Sequence, residues 1–151
     1  YEVEPDSNAT LTRLRKPSFP YRSRMLLDQP LSTIPRADPS APPINHTPAR
    51  VIEWDVDHFV VEYTADQPGI LWLSENYYPY WTATSEAGES LPIYRADYTF
   101  RAIEAKHGTH RVTFEFHNKA FSMSVWLSLI CGVILIAGTV IAVRQQRPLR
   151  A

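Results

Sequence analysis

Residues 111–143 read RVTFEFHNKAFSMSVWLSLICGVILIAGTVIAV, and the change of pattern inside them decides the architecture. In the first six, Val112, Phe114 and Phe116 alternate with Arg111, Thr113 and Glu115, which is the period-two signature of a half-buried strand. From Ala120 to Val143 the pattern becomes an uncharged apolar run of 24 residues. A helix of roughly 20 residues crosses a hydrocarbon core about 30 Å thick, so the run predicts a transmembrane helix with length to spare. The competing reading, a buried helix of a soluble protein, would need apolar neighbours on every side, and a chain of this size has few to give. Arg144, Arg147 and Arg150 follow the run and only Lys119 precedes it closely. By the positive-inside bias this puts the C-terminus in the cytoplasm and everything before the run outside. Trp126 lies where an interfacial anchor would sit. Ser124, Ser128 and Gly132 recur every four residues, either as a small-residue face for packing another helix or as the ordinary composition of membrane helices.

Upstream the same alternation recurs. Phe59, Val61 and Tyr63 alternate with Val60, Glu62 and Thr64, and residues 69–74 form a largely apolar run suited to a central strand. Shorter candidates lie at 51–54, 81–84, 91–94 and 100–104, separated by turn chemistry at 55–57, 66–69, 86–89 and 106–108. Short strands at roughly ten-residue spacing predict a mainly β domain, an antiparallel β-sandwich-like unit outside the membrane, with one C-terminal transmembrane helix. No helical period is visible before residue 120.

Residues 1–49 differ in kind. Nine of the thirteen prolines fall there, so the segment reads as an irregular linker or wrapping strand, with an extended piece near 24–27 able to join the sheet. The expected organisation is therefore 1–49 Pro-rich segment, 50–118 β domain, 119–144 transmembrane helix and 145–151 cytoplasmic tail. Net charge is −1, which leaves no electrostatic footprint for nucleic acid. The single cysteine, Cys131, lies in the apolar run and forms no intrachain framework. A chain that begins at Tyr1 without a signal pattern reads as a piece of a larger protein.

Two stretches, PGILWLSENYYPYW at 68–81 and LPIYRADYTFRAIEAKHGTHRVTFEF at 91–116, followed by a terminal membrane helix, resemble the C-terminal region of the YfhO family of bacterial membrane proteins. The likeness rests on Leu71, Leu73, Ser74, Glu75, Tyr77, Tyr78, Pro79, Trp81, Pro92, Ile93, Tyr94, Arg95, Arg101, Gly108, His110, Val112 and Phe114, in order along the chain. It departs at Tyr80, where a glycine is usual, and at Ala87-Gly88-Glu89, which replaces an Asp-Gly turn. A position needing positive φ would strain a tyrosine. The resemblance implies a polytopic protein of the bacterial plasma membrane, similar to glycosyltransferases that draw sugars from polyprenyl-phosphate carriers. It implies catalytic acids in an early extracytoplasmic loop, so no catalytic residue and no cofactor is assigned to this segment.

Among the residues themselves, Glu75, Asn76, Tyr77, Tyr78, Tyr80 and Trp81 are the candidate glycan-binding set. Flat rings stack on sugars while carboxylates and amides take their hydroxyls, yet rings at a strand end also serve to close a core. Arg95 and Arg101, near Asp97, are candidate phosphate or headgroup contacts because guanidinium forks match phosphate oxygens; pairing with carboxylates is the alternative. His107 and His110 have the spacing of a metal pair but no third ligand nearby, so no metal is assigned. The expected partners are the bilayer, other helices of a parent protein, and a glycan or polyprenyl-linked sugar. Two functions remain open: a non-catalytic C-terminal module of a membrane glycosyltransferase-like protein, which binds or orients an acceptor glycan or braces the catalytic part, and a single-pass anchored β-sandwich with a structural or adhesion role.

Overall fold

The computed structural model describes residues 1–21, 23–34 and 46–145. Ten strands and two helices follow in the order β1 (Glu2–Val3), α1 (Ser7–Leu14), β2 (Leu26–Leu27), β3 (Arg50–Trp54), β4 (His58–Ala65), β5 (Gly69–Asn76), β6 (Trp81–Ser85), β7 (Ser90–Leu91), β8 (Tyr94–Ala96), β9 (Phe100–Ala105), β10 (Gly108–Phe116) and α2 (Lys119–Gln145). Residues 1–117 form one unit and 118–151 a second.

The first unit is mainly β, with two five-stranded sheets. One runs β1-β2-β8-β9-β5 and the other β3-β4-β10-β6-β7. All pairings are antiparallel except β1 with β2. In the second sheet β10 is central, and its register sets Val112 opposite Val61 and Phe114 opposite Phe59. Those residues alternate inward, so both strands offer one apolar face to the same core. Phe59 and Phe114 stack with ring centroids 4.7 Å apart. Leu71, Leu73, Ile103 and Ala105 from the first sheet join Phe59, Val61, Tyr63, Ala83, Val112 and Phe114 from the second in a single cluster. Burying a phenylalanine of this kind contributes about 2–3 kcal/mol.

β9 is covered on both faces. Arg101, Ile103 and Ala105 are buried, while Ala102 joins a second cluster with Leu27, Leu31, Tyr94 and Ala96, flanked by Tyr1, Ile34 and Phe100. The N-terminal segment thus supplies strands and covering side chains to the first sheet. Glu104 fastens it, accepting from the Thr33 amide at 3.1 Å and from the Tyr94 hydroxyl at 3.0 Å, and also from the Ser32 amide and the Thr33 hydroxyl.

Two differences from the sequence reading have clear physical causes. A short helix, α1, precedes residue 120 after all. Asp6 caps it by accepting from the Asn8 amide at 3.0 Å, and only Thr10 is buried, so no apolar stripe advertises it. The strand expected at 91–94 is two strands in two sheets: β7 pairs with β6, β8 pairs with β9, and Pro92-Ile93 carries the chain across. Proline removes the ladder donor that a continuous strand would need. The segment at 24–27 joins the sheet as expected, with Leu27 opposite Ala96.

Met123–Gln145, within α2, is long and apolar enough to cross a membrane, and its apolar side chains are exposed along its length. Asn118 caps it, its side-chain oxygen accepting from the Phe121 amide at 3.1 Å. Ser124 returns its hydroxyl to the Ala120 carbonyl at 2.9 Å, and nothing stands within 4 Å of a Cβ placed on Gly132. Arg147, Arg150 and the rest of the expected tail beyond Gln145 lie outside the described residues, as do residues 35–45 of the Pro-rich stretch.

Candidate functional site

The chain leaves β10 at Phe116, and three backbone connections gather the loops of that end. The Asp55 amide donates to the His58 carbonyl at 2.7 Å, closing the β3–β4 hairpin. The Phe116 amide donates to the Asp57 carbonyl at 2.8 Å, and the His117 amide to the Tyr80 carbonyl at 2.9 Å. Loop 77–80 is held on its other side by the Tyr77 amide on the Thr99 carbonyl and by the Thr99 hydroxyl on Asn76 Oδ1 at 3.1 Å.

Aromatic rings line this end in an unbroken series. Trp54 lies 5.3 Å from Phe59, Phe59 lies 5.3 Å from Trp81, and Trp81 lies 5.5 Å from Phe116. Phe116 reaches Tyr78 at 6.0 Å and Tyr80 at 6.1 Å, and the two tyrosines stand 5.7 Å apart. The series passes through the core at Phe59 and reaches the surface at both ends, at Trp54 and at the tyrosines. Tyr78 is 54% exposed and Tyr80 39%, whereas Trp81 is half-buried. Tyr80 is not among the described residues with positive φ, so a tyrosine there carries no backbone strain of that kind.

Beneath Trp81 sits Arg101, only 1% exposed. Its guanidinium carbon lies 4.2 Å from the Trp81 ring centroid and 5.3 Å from that of Phe59. The period-two placement explains this: Arg101 shares a face of β9 with Ile103 and Ala105, which points into the core. A register shift between Leu73 and Asn76 on β5 lies next to it, and Glu75 Oε2 comes within 3.7 Å of Nη2. Among the described residues, Nε and Nη1 have no hydrogen-bond partner. Burial pulls the guanidinium pKa down from its ordinary value, and the charge of Glu75 acts the other way.

The structure thus brings Glu75, Asn76, Tyr77, Tyr78, Tyr80 and Trp81 to one end of the unit, with Tyr78 and Tyr80 outermost. Arg95 and Arg101 are cross-strand neighbours but do not form a common cradle. Arg95 Nε lies 3.8 Å from Asp28, and Arg101 is sealed under an indole. Asp97, between them in sequence, has φ of 46° and accepts from the Leu26 amide at 2.9 Å. Burial raises its carboxyl pKa above the usual range in spite of that bond. At the opposite end of β10, His110 uses both ring nitrogens, Nε2 at 2.9 Å from the His107 carbonyl and Nδ1 at 3.0 Å from Glu86. No group of three metal-ligating side chains occurs among the described residues. Sequence reasoning missed Trp54 and Phe116 as parts of the ring series, because only the β3–β4 and β6–β10 registers bring them to Phe59 and Trp81. Ser124, Ser128 and Gly132 belong to the second unit, spaced one turn apart on α2. Compared with protein-family models, curated proteins and solved structures, the chain matches none of them.

Proposed function

We propose that this chain is a non-catalytic, membrane-anchored module that binds or orients an acceptor glycan for a polytopic protein resembling the polyprenyl-phosphate-sugar-dependent glycosyltransferases. In this reading the two sheets act as a β-sandwich outside the bacterial plasma membrane, α2 spans it, and the C-terminus is cytoplasmic. The small face at Ser124, Ser128 and Gly132 packs other helices of the parent. The observation that carries the binding role is the exposed pair Tyr78 and Tyr80, 5.7 Å apart, on a loop fixed by main-chain bonds and next to Glu75 and Asn76. Rings held in place stack on a sugar without first losing freedom, and the neighbouring carboxylate and amide supply hydroxyl partners.

The test is glycan binding by the full chain in lipid nanodiscs, across bacterial envelope oligosaccharides. Binding that is lost in Tyr78→Ala and Tyr80→Ala supports the role, and no binding across the set rejects it. A second reading, a single-pass anchored β-sandwich with a structural or adhesion role, is favoured by the one candidate span among the described residues and by the core that residues 1–117 build for themselves. Blotting source membranes with an antibody to residues 50–118 separates the two. A band several times larger than this chain supports the first, and a band of its own size the second.

A further inference from the structure

The β3–β4 hairpin ends in Trp54-Asp55-Val56-Asp57, between β3, which is exposed throughout, and β4, whose residues alternate inward and outward. Val56 is 92% exposed and Trp54 60%. The Val56 amide donates to the Asp55 carboxylate at 2.7 Å, which satisfies the main chain at the tip. Large apolar groups presented together at the apex of a rigid hairpin mark an interaction surface. The chain's own connectivity names the partner. Asp57 is bonded to the Phe116 amide, and only His117 and Asn118 separate Phe116 from α2. Three residues reach at most about 11 Å. If α2 spans a bilayer, both this hairpin and loop 77–80, whose Tyr80 carbonyl accepts from the His117 amide, are held to it by a tether of only a few residues.

We propose that Trp54 and Val56 form a lipid-seating tip that enters the headgroup layer of a zwitterionic membrane surface. This rests on the reading of α2 as a membrane span. Tethering alone does not bring it about, because the headgroup region of each leaflet is only about 5–8 Å deep and the linker reaches further. Tryptophan suits that layer, its ring apolar and its N–H polar. The carboxylates of Asp55 and Asp57 select neutral over anionic headgroups. Tyr78 and Tyr80 lie at the rim of the same end, so a glycan taken by them is one carried close to the surface.

The experiment uses the full chain in phosphatidylcholine vesicles with a nitroxide at one cysteine at a time: native Cys131, or position 56 or 66 in a Cys131→Ser background. Asp66 is exposed just beyond the other end of β4, roughly 30 Å away along the strand. The expected result is oxygen-rich, nickel-chelate-poor access at Cys131, interfacial access at position 56, and aqueous access at position 66. Position 56 as aqueous as position 66, with Cys131 in lipid, overturns the seating alone. An aqueous Cys131 overturns the span and the seating with it. A label-free measurement guards against insertion driven by the nitroxide. Quenching of tryptophan emission by lipids brominated near their carbonyls falls several-fold more in Trp54→Phe than in Trp72→Phe. Equal falls refute the seating.

Discussion

Replacing Arg101 by methionine is expected to make the first unit more stable. The guanidinium lies in the core with Nε and Nη1 unpartnered. A buried donor without a partner costs roughly 1–3 kcal/mol, so the two together cost about 2–6 kcal/mol. Against this stand the contact with the Trp81 ring, about 0.5–2 kcal/mol, and a 3.7 Å approach to Glu75. Glu75 is partly exposed, which holds that pair to about 1 kcal/mol or less. Methionine keeps the length and the contact with the rings, and removal of the cation leaves no buried charge behind because Glu75 reaches solvent. The net gain is about 2 kcal/mol. For a unit of this size each kcal/mol is worth about 4 °C, so the midpoint rises by roughly 8 °C. Near-UV circular dichroism of the full chain in detergent micelles reads the transition, since Trp81 reports directly on the site. A midpoint lowered by several degrees refutes the reasoning and shows that the two N–H groups find partners in solution.

Phe59→Ala removes the ring shared by Trp54, Trp81, Phe114 and Arg101 and is expected to cost about 3–5 kcal/mol in urea melts. The His107 carbonyl and Glu86 together raise the His110 pKa above its ordinary 6.5, while the Arg111 amide and then His110 lower that of Glu86 below 4.5. The histidine's contribution is complete below 6.5 and is lost as pH rises through its folded value; the carboxylate's is present above 4.5 and is lost as pH falls through its own. Stability from this pair thus peaks between those values, and His110→Gln should flatten the pH dependence of the melting midpoint from 6 to 8. Burial opposes ionisation of Glu104, but bonds from Thr33, Ser32 and Tyr94 hold its pKa low all the same. Glu104→Ala should therefore free residues 31–34, seen as faster hydrogen exchange at the Ser32 and Thr33 amides.

Where alternation had a partner of the same period, the strands were legible. Phe59 and Val61 of β4 lie opposite Phe114 and Val112 of β10, and the alternation of the two strands foretold the face each one buries. The apolar helix was equally plain, because a long uncharged apolar run is recognised without any partner in the chain. Long-range register was not legible. Nothing local shows that Pro92 moves the chain from one sheet to the other, or that Glu2–Val3 runs parallel to Leu26–Leu27. Arg101 was half-legible: its spacing from Ile103 and Ala105 put it on an inward face, while its charge argued for solvent and drew attention to a turn. The candidate site was visible as the run 75–81, but its depth was not, since only tertiary contact separates the buried side of Trp81 from the open sides of Tyr78 and Tyr80.

The place of β10 bears on how the chain carries mechanical load. The strand that continues towards α2 is the middle one of its sheet, registered through eight residue pairs with β4 and five with β6. Its hydrogen bonds lie across the strand direction, so tension along that direction strains every rung together instead of peeling them one at a time. An edge strand such as β7, with two pairs, would part under far smaller force. Tension applied to the first unit through α2 thus meets resistance shared between two ladders. Under stretch, the first element to yield is expected among the two-residue pairings of the N-terminal strands.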